Sequence, residues 1–421
     1  MGRLPVGGRM SLRIPHDTAR LDPHDLFDPV AAMVAHAVFD TVYSLDTAGN
    51  TYPSLAEGMP RRDGKLTRVT LREGLRSARG RAIDARDLVV SVERARRLGA
   101  VALLADIPAG TVDKADARTA VFKDTEPSAL ANALTSPVLA LVSRSHSPAS
   151  PDGTGAFRAE PSADRLTLVR NKLAARGPSC LDEIVLQRAS DLLDPVRAFE
   201  SLSADVAWLG SYIHQPRPGS VAFDLGAVAW VVLRTGNEAA EWGAPGVAQK
   251  LADAIPPGRL AHLALGTSPP PAGSPSWGGP ACDLFTSSSS PHLMEIAKSV
   301  ASILSLPGHE VTASGASHAE LAVKRRTGAF CLMLDVVRPV GPAGVATLLA
   351  LATADQGSGA RATARHPPKL SSYAPRVLAR TLRLGVVGEL RVAGSSIPQL
   401  RLAQARDANG WDLGASWRTR N

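Results

Sequence analysis

The stretch from Leu21 to Arg94 limits the fold more than any other, because helix, hairpin, hairpin and helix signals follow one another there without slack. Asp28-Pro29 reads as a helix start: an oxygen acceptor at the N-cap, then a residue with preset φ at the first helical position. Val30, Met33, Val34, Ala37 and Val38 then share one face. Val42 to Asp46 is a short strand that turns at Gly49-Asn50, residues that tolerate positive φ. Asp63-Gly64 supplies the same turn chemistry to a second hairpin. There Val69 and Leu71 alternate with Thr70 and Arg72 at the period of a half-buried strand. Asp84 opens the next helix, with Asp87 at its positive end and Leu88, Val92 and Ala95 as its buried stripe.

Beyond Arg97 the chain continues to mix strands with helices. Thr111 to Lys114 and Thr119 to Phe122 read as strands, and Ser128 to Leu134 as a short helix started by Ser128. The turn Gly153-Thr154-Gly155 leads into a strand. No Gly-Lys-Ser/Thr helix start follows it, so it reads as a tight structural turn rather than a phosphate loop. Strands over Leu181–Leu186 and Ala204–Gly210 flank a helix over Asp194–Leu202, and Asp224–Gly236 is an apolar strand. Val247–Ile255 is helical, and Thr267–Pro280 is a Pro/Gly/Ser-rich loop. Cys282–Thr286, the helix Pro291–Leu304 started by Ser290, and Glu310–Thr312 have the order of a parallel α/β unit. A short helix over His318–Arg326 and a buried strand over Ala329–Asp335 follow.

A chain of 421 residues exceeds what one core usually serves, so two lobes are expected, and 44% hydrophobic residues supply the core. Aromatics make up only 4%, so few rings are on hand to wall a ligand cleft. The net charge of +8 comes mostly from scattered Arg. Without aromatic interleaving this is solvated surface, and no nucleic-acid partner is expected. Cys180, Cys282 and Cys331 form no Cys-x-x-Cys pair, so no metal and no cofactor is expected, and the pairing of any disulfide stays open. There is no HExxH, no GxSxG and no P-loop, which points to binding rather than catalysis. Met1 to Arg20 holds no apolar run of signal-peptide length, and no later segment reads as a membrane span.

The segments FDTVYSLD, PSLAEG, LREGLR and DARDLVVSVERA, in that order and spacing, resemble the N-terminal lobe of the peptide/nickel-type (family 5) solute-binding proteins of ABC importers. The turn GTGAFR and the strand ending Arg170-Asn171 extend the resemblance, with Ala156 in place of the usual proline. It implies an α/β, two-lobed (type II) periplasmic-binding-protein-like architecture, with residues 11–223 and 376–421 in the first lobe and 224–375 in the second. It further implies a monomer that captures a peptide or similar small solute and delivers it to an ABC permease in the membrane. The implied place is periplasmic or membrane-anchored and extracytoplasmic, the export signal having been removed or missed. The alternative is a cytosolic or degenerate relative that senses a ligand without a transport role.

The resemblance places Phe27, Asp28, Trp208 and Trp230 at the cleft, with Asp335 and Arg338 at the end of the buried strand of the second lobe. Peptide-binding relatives pair the peptide's amino group with an aspartate just past that strand. Here Val336 to Pro342 lacks the acidic run, so Asp335 is the nearest substitute and Arg338 favours an anion.

Overall fold

The computed structural model describes residues 6–208, 219–260, 263, 265, 276–341, 345–355, 375–405 and 410–419. Among them, ten strands form one mixed sheet. In spatial order these are Val311–Ala316, Cys282–Ser287, Leu332–Val337, Val221–Thr235, Leu384–Ser396, Val206–Trp208, Arg9–Ile14, Glu183–Arg188, Arg165–Arg170 and Phe157–Pro161. The two central strands are the longest. They pair antiparallel from Val221↔Ser396 to Arg234↔Leu384, with register shifts that bend the ladder between Asp224 and Val232. One half of the sheet continues from Leu384–Ser396 through Val206–Trp208 to Arg9–Ile14, and the other from Val221–Thr235 through Leu332–Val337 to Cys282–Ser287.

Strand alternation divides the core. Val231 and Leu233 face one cluster with the helices Pro29–Val38 and Pro291–Leu304, while Trp230 and Val232 face a second with Leu88, Val92 and the hairpins. The helix at Asp28 begins where its sequence places it, with Asp28 accepting from the amides of Val30 and Ala31. Asp84 and Asp87 form a reciprocal capping box on Ala85–Arg97. The helix Pro127–Ala133 starts one residue earlier than expected: Pro127 takes the first helical position and Ser128 caps nothing. The strand expected over Ala329–Asp335 runs instead over Leu332–Val337, because Gly328 takes a left-handed cap at φ 71° and the chain needs three residues to enter the ladder.

The turn at Gly153 and Gly155 is structural, as its sequence indicates. A Cβ on either glycine would sit within 2.3 and 2.6 Å of the Val38 backbone, so only glycine lets this turn lie against the end of the first helix. The hairpin Leu400–Gln404/Trp411–Arg418 returns to the same helix, where Trp411 Nε1 donates to the Met33 carbonyl at 2.7 Å. The loop expected over Thr267–Pro280 lies mostly outside the described residues. No described helix is long and apolar enough to cross a membrane.

Candidate ligand site at the junction of the two sheet halves

The strand Arg9–Ile14 ends at Pro15-His16, and the following loop, Asp17 to Asp28, runs across the junction. Its Arg20, Phe27 and Asp28 meet Ser289, His318, Arg325 and Asp335 from the other half around a cavity of about 40 Å³. That volume holds a few waters. The structure therefore brings together Phe27, Asp28 and Asp335 of the six expected site residues. Trp208 lies in the core at 1% exposure, its Nε1 donating to the Arg391 carbonyl at 3.1 Å and its ring against His16 and His292. Trp230 packs into the second cluster. Arg338 is buried below the loop and does not line the cavity.

The charges at the junction are largely spent on one another. Arg325 grips the Asp335 carboxylate with two arms, Nη2 to Oδ1 at 2.7 Å and Nε to Oδ2 at 3.0 Å, and Arg234 Nη1 adds a third bond at 3.1 Å. Burial alone would raise that carboxyl, but the two guanidiniums outweigh it and hold it below the usual carboxylate range. The same guanidiniums lie over the Phe27 ring, at 4.3 Å for Arg325 and 5.4 Å for Arg234. Arg338 Nη1 donates to the carbonyls of Pro23, Asp25 and Asp22 at 2.9, 3.2 and 3.4 Å, and its amide donates to Leu26 O at 2.9 Å. It pins the loop rather than presenting a charge to a solute. Arg94 holds Asp22 with both arms at 2.7 and 2.6 Å.

Asp28 is only half satisfied. Its Oδ1 is taken by the helix amides of Val30 and Ala31 at 2.9 and 3.1 Å. Its Oδ2 is buried and accepts no hydrogen bond from a described residue, with Arg20 Nη1 standing off at 3.8 Å. Burial, with Asp25 nearby and Arg20 opposing, pushes this carboxyl up to about 6. A carboxylate with one open acceptor, in a residue that lines a small cavity, is a candidate partner for a bound donor.

Sequence reasoning missed Arg20, Asp22, Asp25, Arg94, Arg234, His318 and Arg325. The one signal was the spacing Asp22, Asp25, Asp28, three carboxylates within one loop, which no small core tolerates without matching cations.

Three buried histidines set the response to acid. His24 Nε2 donates to Ala140 O at 2.8 Å and His292 Nε2 to Leu263 O at 2.6 Å. Burial pushes both down to about 4, and burial with His292 pushes His16 well down. As pH falls below 6.5 the unfolded chain takes these protons first, so stability is lost between 6.5 and 4, by up to about 3 kcal/mol for each of His24 and His292. Asp28 acts in the opposite sense below 6, for about 3 kcal/mol at most, and is outweighed. The midpoint of thermal unfolding is therefore expected to fall as the buffer goes from pH 6.5 to 4.5. A flat or rising profile would contradict the neutral, buried state of these rings.

No family sequence model and no curated protein matches the chain in sequence. Solved structures do match it in fold. The oligopeptide-binding protein AppA from Bacillus subtilis, in complex with a nonapeptide, aligns over 99% of this chain and 100% of its own, with TM-score 0.73 and 12% identity. NikA from Staphylococcus aureus, in complex with Ni(L-His)2, aligns over 98% of this chain and 100% of its own, with TM-score 0.67 and 13% identity. AgaA from A. tumefaciens, in complex with agropinic acid, aligns over 98% and 99%, with TM-score 0.68 and 16% identity. The chain thus has, over nearly its whole length, the two-lobed α/β fold of the family 5 solute-binding proteins.

Proposed function

We propose that this protein is an extracytoplasmic solute-binding protein that captures a peptide or similar small solute between its lobes and presents it to an ABC permease. Residues 11–223 and 376–421 would form the first lobe and 224–375 the second. The long antiparallel pair Val221–Thr235 and Leu384–Ser396, at the centre of the sheet, would serve as the hinge between them. The observation that carries the reading is Asp28, a buried residue that lines the junction cavity and whose Oδ2 has no hydrogen-bond partner among the described residues. With Asp335 held by Arg234 and Arg325, the solute would offer an N–H or O–H to Asp28 and its apolar part to Phe27. The three ligands bound by the structural relatives, a peptide, a metal chelate and an organic acid, show that this fold does not choose the solute; the side chains do.

The small cavity favours one second reading, a relative whose cleft stays shut and binds nothing. Thermal unfolding against short peptides, nickel–histidine chelates and small organic acids separates the two. A ligand bound only by the native state raises the midpoint, by about 2.7 kcal/mol of stability at 100 times Kd. A saturable rise with one class supports capture. No rise with any class, in a folded protein, supports the closed relative.

A further inference from the structure

We propose that Cys282 and Cys331 are a thiol–disulfide pair, closed into an intramolecular disulfide by exchange with an external disulfide, while Cys180 stays a free thiol. This is independent of what the cleft binds. Cys282 opens the strand Cys282–Ser287, and Cys331 directly precedes the parallel neighbour Leu332–Val337. The register pairs Leu284 with Leu332, which leaves the two cysteines one residue out of step on adjacent strands. In a regular ladder that offset would turn the side chains to opposite faces, but Cys331 lies just outside the strand, and both cysteines pack with the same core cluster. The two thiols are close enough to act on one another's titration. Both backbones are fixed on their outer sides, Cys282 N by the Glu310 carbonyl at 2.9 Å and Cys331 O by the Gly236 amide at 3.0 Å. Cys180 sits in the other half of the sheet beside Gly7 and Gly414, so it is no competitor.

The pair is also asymmetric in the way exchange requires. Cys282 is half-buried and its thiol is lowered by Cys331. Cys331 is buried and its thiol is raised by Cys282 and by burial. The accessible thiolate attacks first. Cys282 Sγ displaces one thiolate from a small-molecule disulfide such as oxidised glutathione, giving a mixed disulfide. Cys331 Sγ, losing its proton, then attacks Cys282 Sγ and expels the second thiolate. In sum, two protein thiols and one external disulfide become one protein disulfide and two external thiols, with two electrons passing to the oxidant. Closing a loop of about 50 residues restricts the unfolded chain, and a rise of about 5 °C in the unfolding midpoint is expected on oxidation.

The test equilibrates the full chain with excess oxidised glutathione, alkylates remaining thiols and maps the unreduced peptides by mass spectrometry. The expected result is a Cys282–Cys331 cross-linked peptide with Cys180 alkylated. In Cys331→Ser the reaction should stop at a lasting mixed disulfide on Cys282, and in Cys282→Ser the remaining member of the pair, Cys331, should not react. The proposal is overturned if both cysteines of the wild-type chain remain alkylated, if either is found joined to Cys180, or if the wild type keeps glutathione on Cys282. The wild-type map decides the matter even where a variant folds poorly.

Discussion

Asp335→Ala is expected to lower the free energy of unfolding by about 3–5 kcal/mol, the cost of leaving buried charges without their partner. Both cations it neutralises are out of water: the Arg234 and Arg325 side chains are 9% and 8% exposed. Both also share the small space over Phe27, so without the carboxylate they would repel one another in a poorly solvated site. The pair is not a surface ion pair worth a few tenths. A compensated change sharpens the prediction. Asp335→Leu combined with Arg325→Met and Arg234→Met removes every member together, and much of the loss should return, because apolar groups of similar size replace buried ion pairs at little cost. Denaturant unfolding at pH 7 measures both. A loss under about 1 kcal/mol for Asp335→Ala would mean that the carboxylate is not the keystone of this cluster, and that it is free to meet a solute, the role its sequence position resembles.

Asp28→Asn is expected to act in the opposite direction, raising stability by about 2–3 kcal/mol at pH 7. The folded carboxyl titrates at about 6, against roughly 3.9 in the unfolded chain. The folded state therefore holds the proton more tightly, its advantage is complete below the unfolded value, and it is lost as pH rises through 6. At pH 7 the ionised, half-satisfied group is a liability. Asparagine keeps the N-cap oxygen for the Val30 and Ala31 amides while carrying no charge into the cavity. The gain should shrink as pH falls and vanish near pH 4. Matched unfolding curves of the two proteins at pH 7 and pH 4 test this. A variant less stable than the parent at pH 7 would show that the charge of Asp28 is more useful to Arg20 and Arg338 than burial is costly. A residue that lowers stability where it stands, at a junction and beside a cavity, is what a site kept for binding looks like.

Local signals carried much of the fold. Asp28-Pro29 and Asp84…Asp87 set two helix starts, and the Leu293, Ile296, Val300 and Leu304 face set a third. Their period and caps act within a few residues, so one sequence displays them. The return strand was harder to see. Leu384–Ser396 runs through Gly394 and two serines, because the long partner Val221–Thr235 offers bonds that outweigh weak propensity. The site was legible only in part. Phe27, Asp28 and Asp335, expected at the cleft, all line the junction cavity. Arg234, Arg325 and Arg20 were not expected, because nothing near each in the chain says that it faces Asp335, Asp25 or a ring. Some partners are near, as Arg20 and Asp25 are, but others lie 101 residues apart, as Arg234 and Asp335 do, or 298, as Arg20 and His318 do, and only tertiary packing joins those. Arg338 shows the same limit from the other side. A lone arginine after a buried strand resembles an anion site, but its donors go to the backbone of residues 22–25.

The most direct measurement is the binding isotherm, at pH 7, of whichever peptide, chelate or organic acid first gives a saturable thermal shift, taken on the wild-type chain and on Asp28→Asn. If the junction cavity is the solute site and Asp28 its open acceptor, affinity should fall at least about tenfold in the variant, one charge-assisted hydrogen bond being worth roughly 1.5–3 kcal/mol, although that variant is the more stable protein. Equal affinity in the two would place the solute elsewhere and leave Asp28 as a helix cap alone.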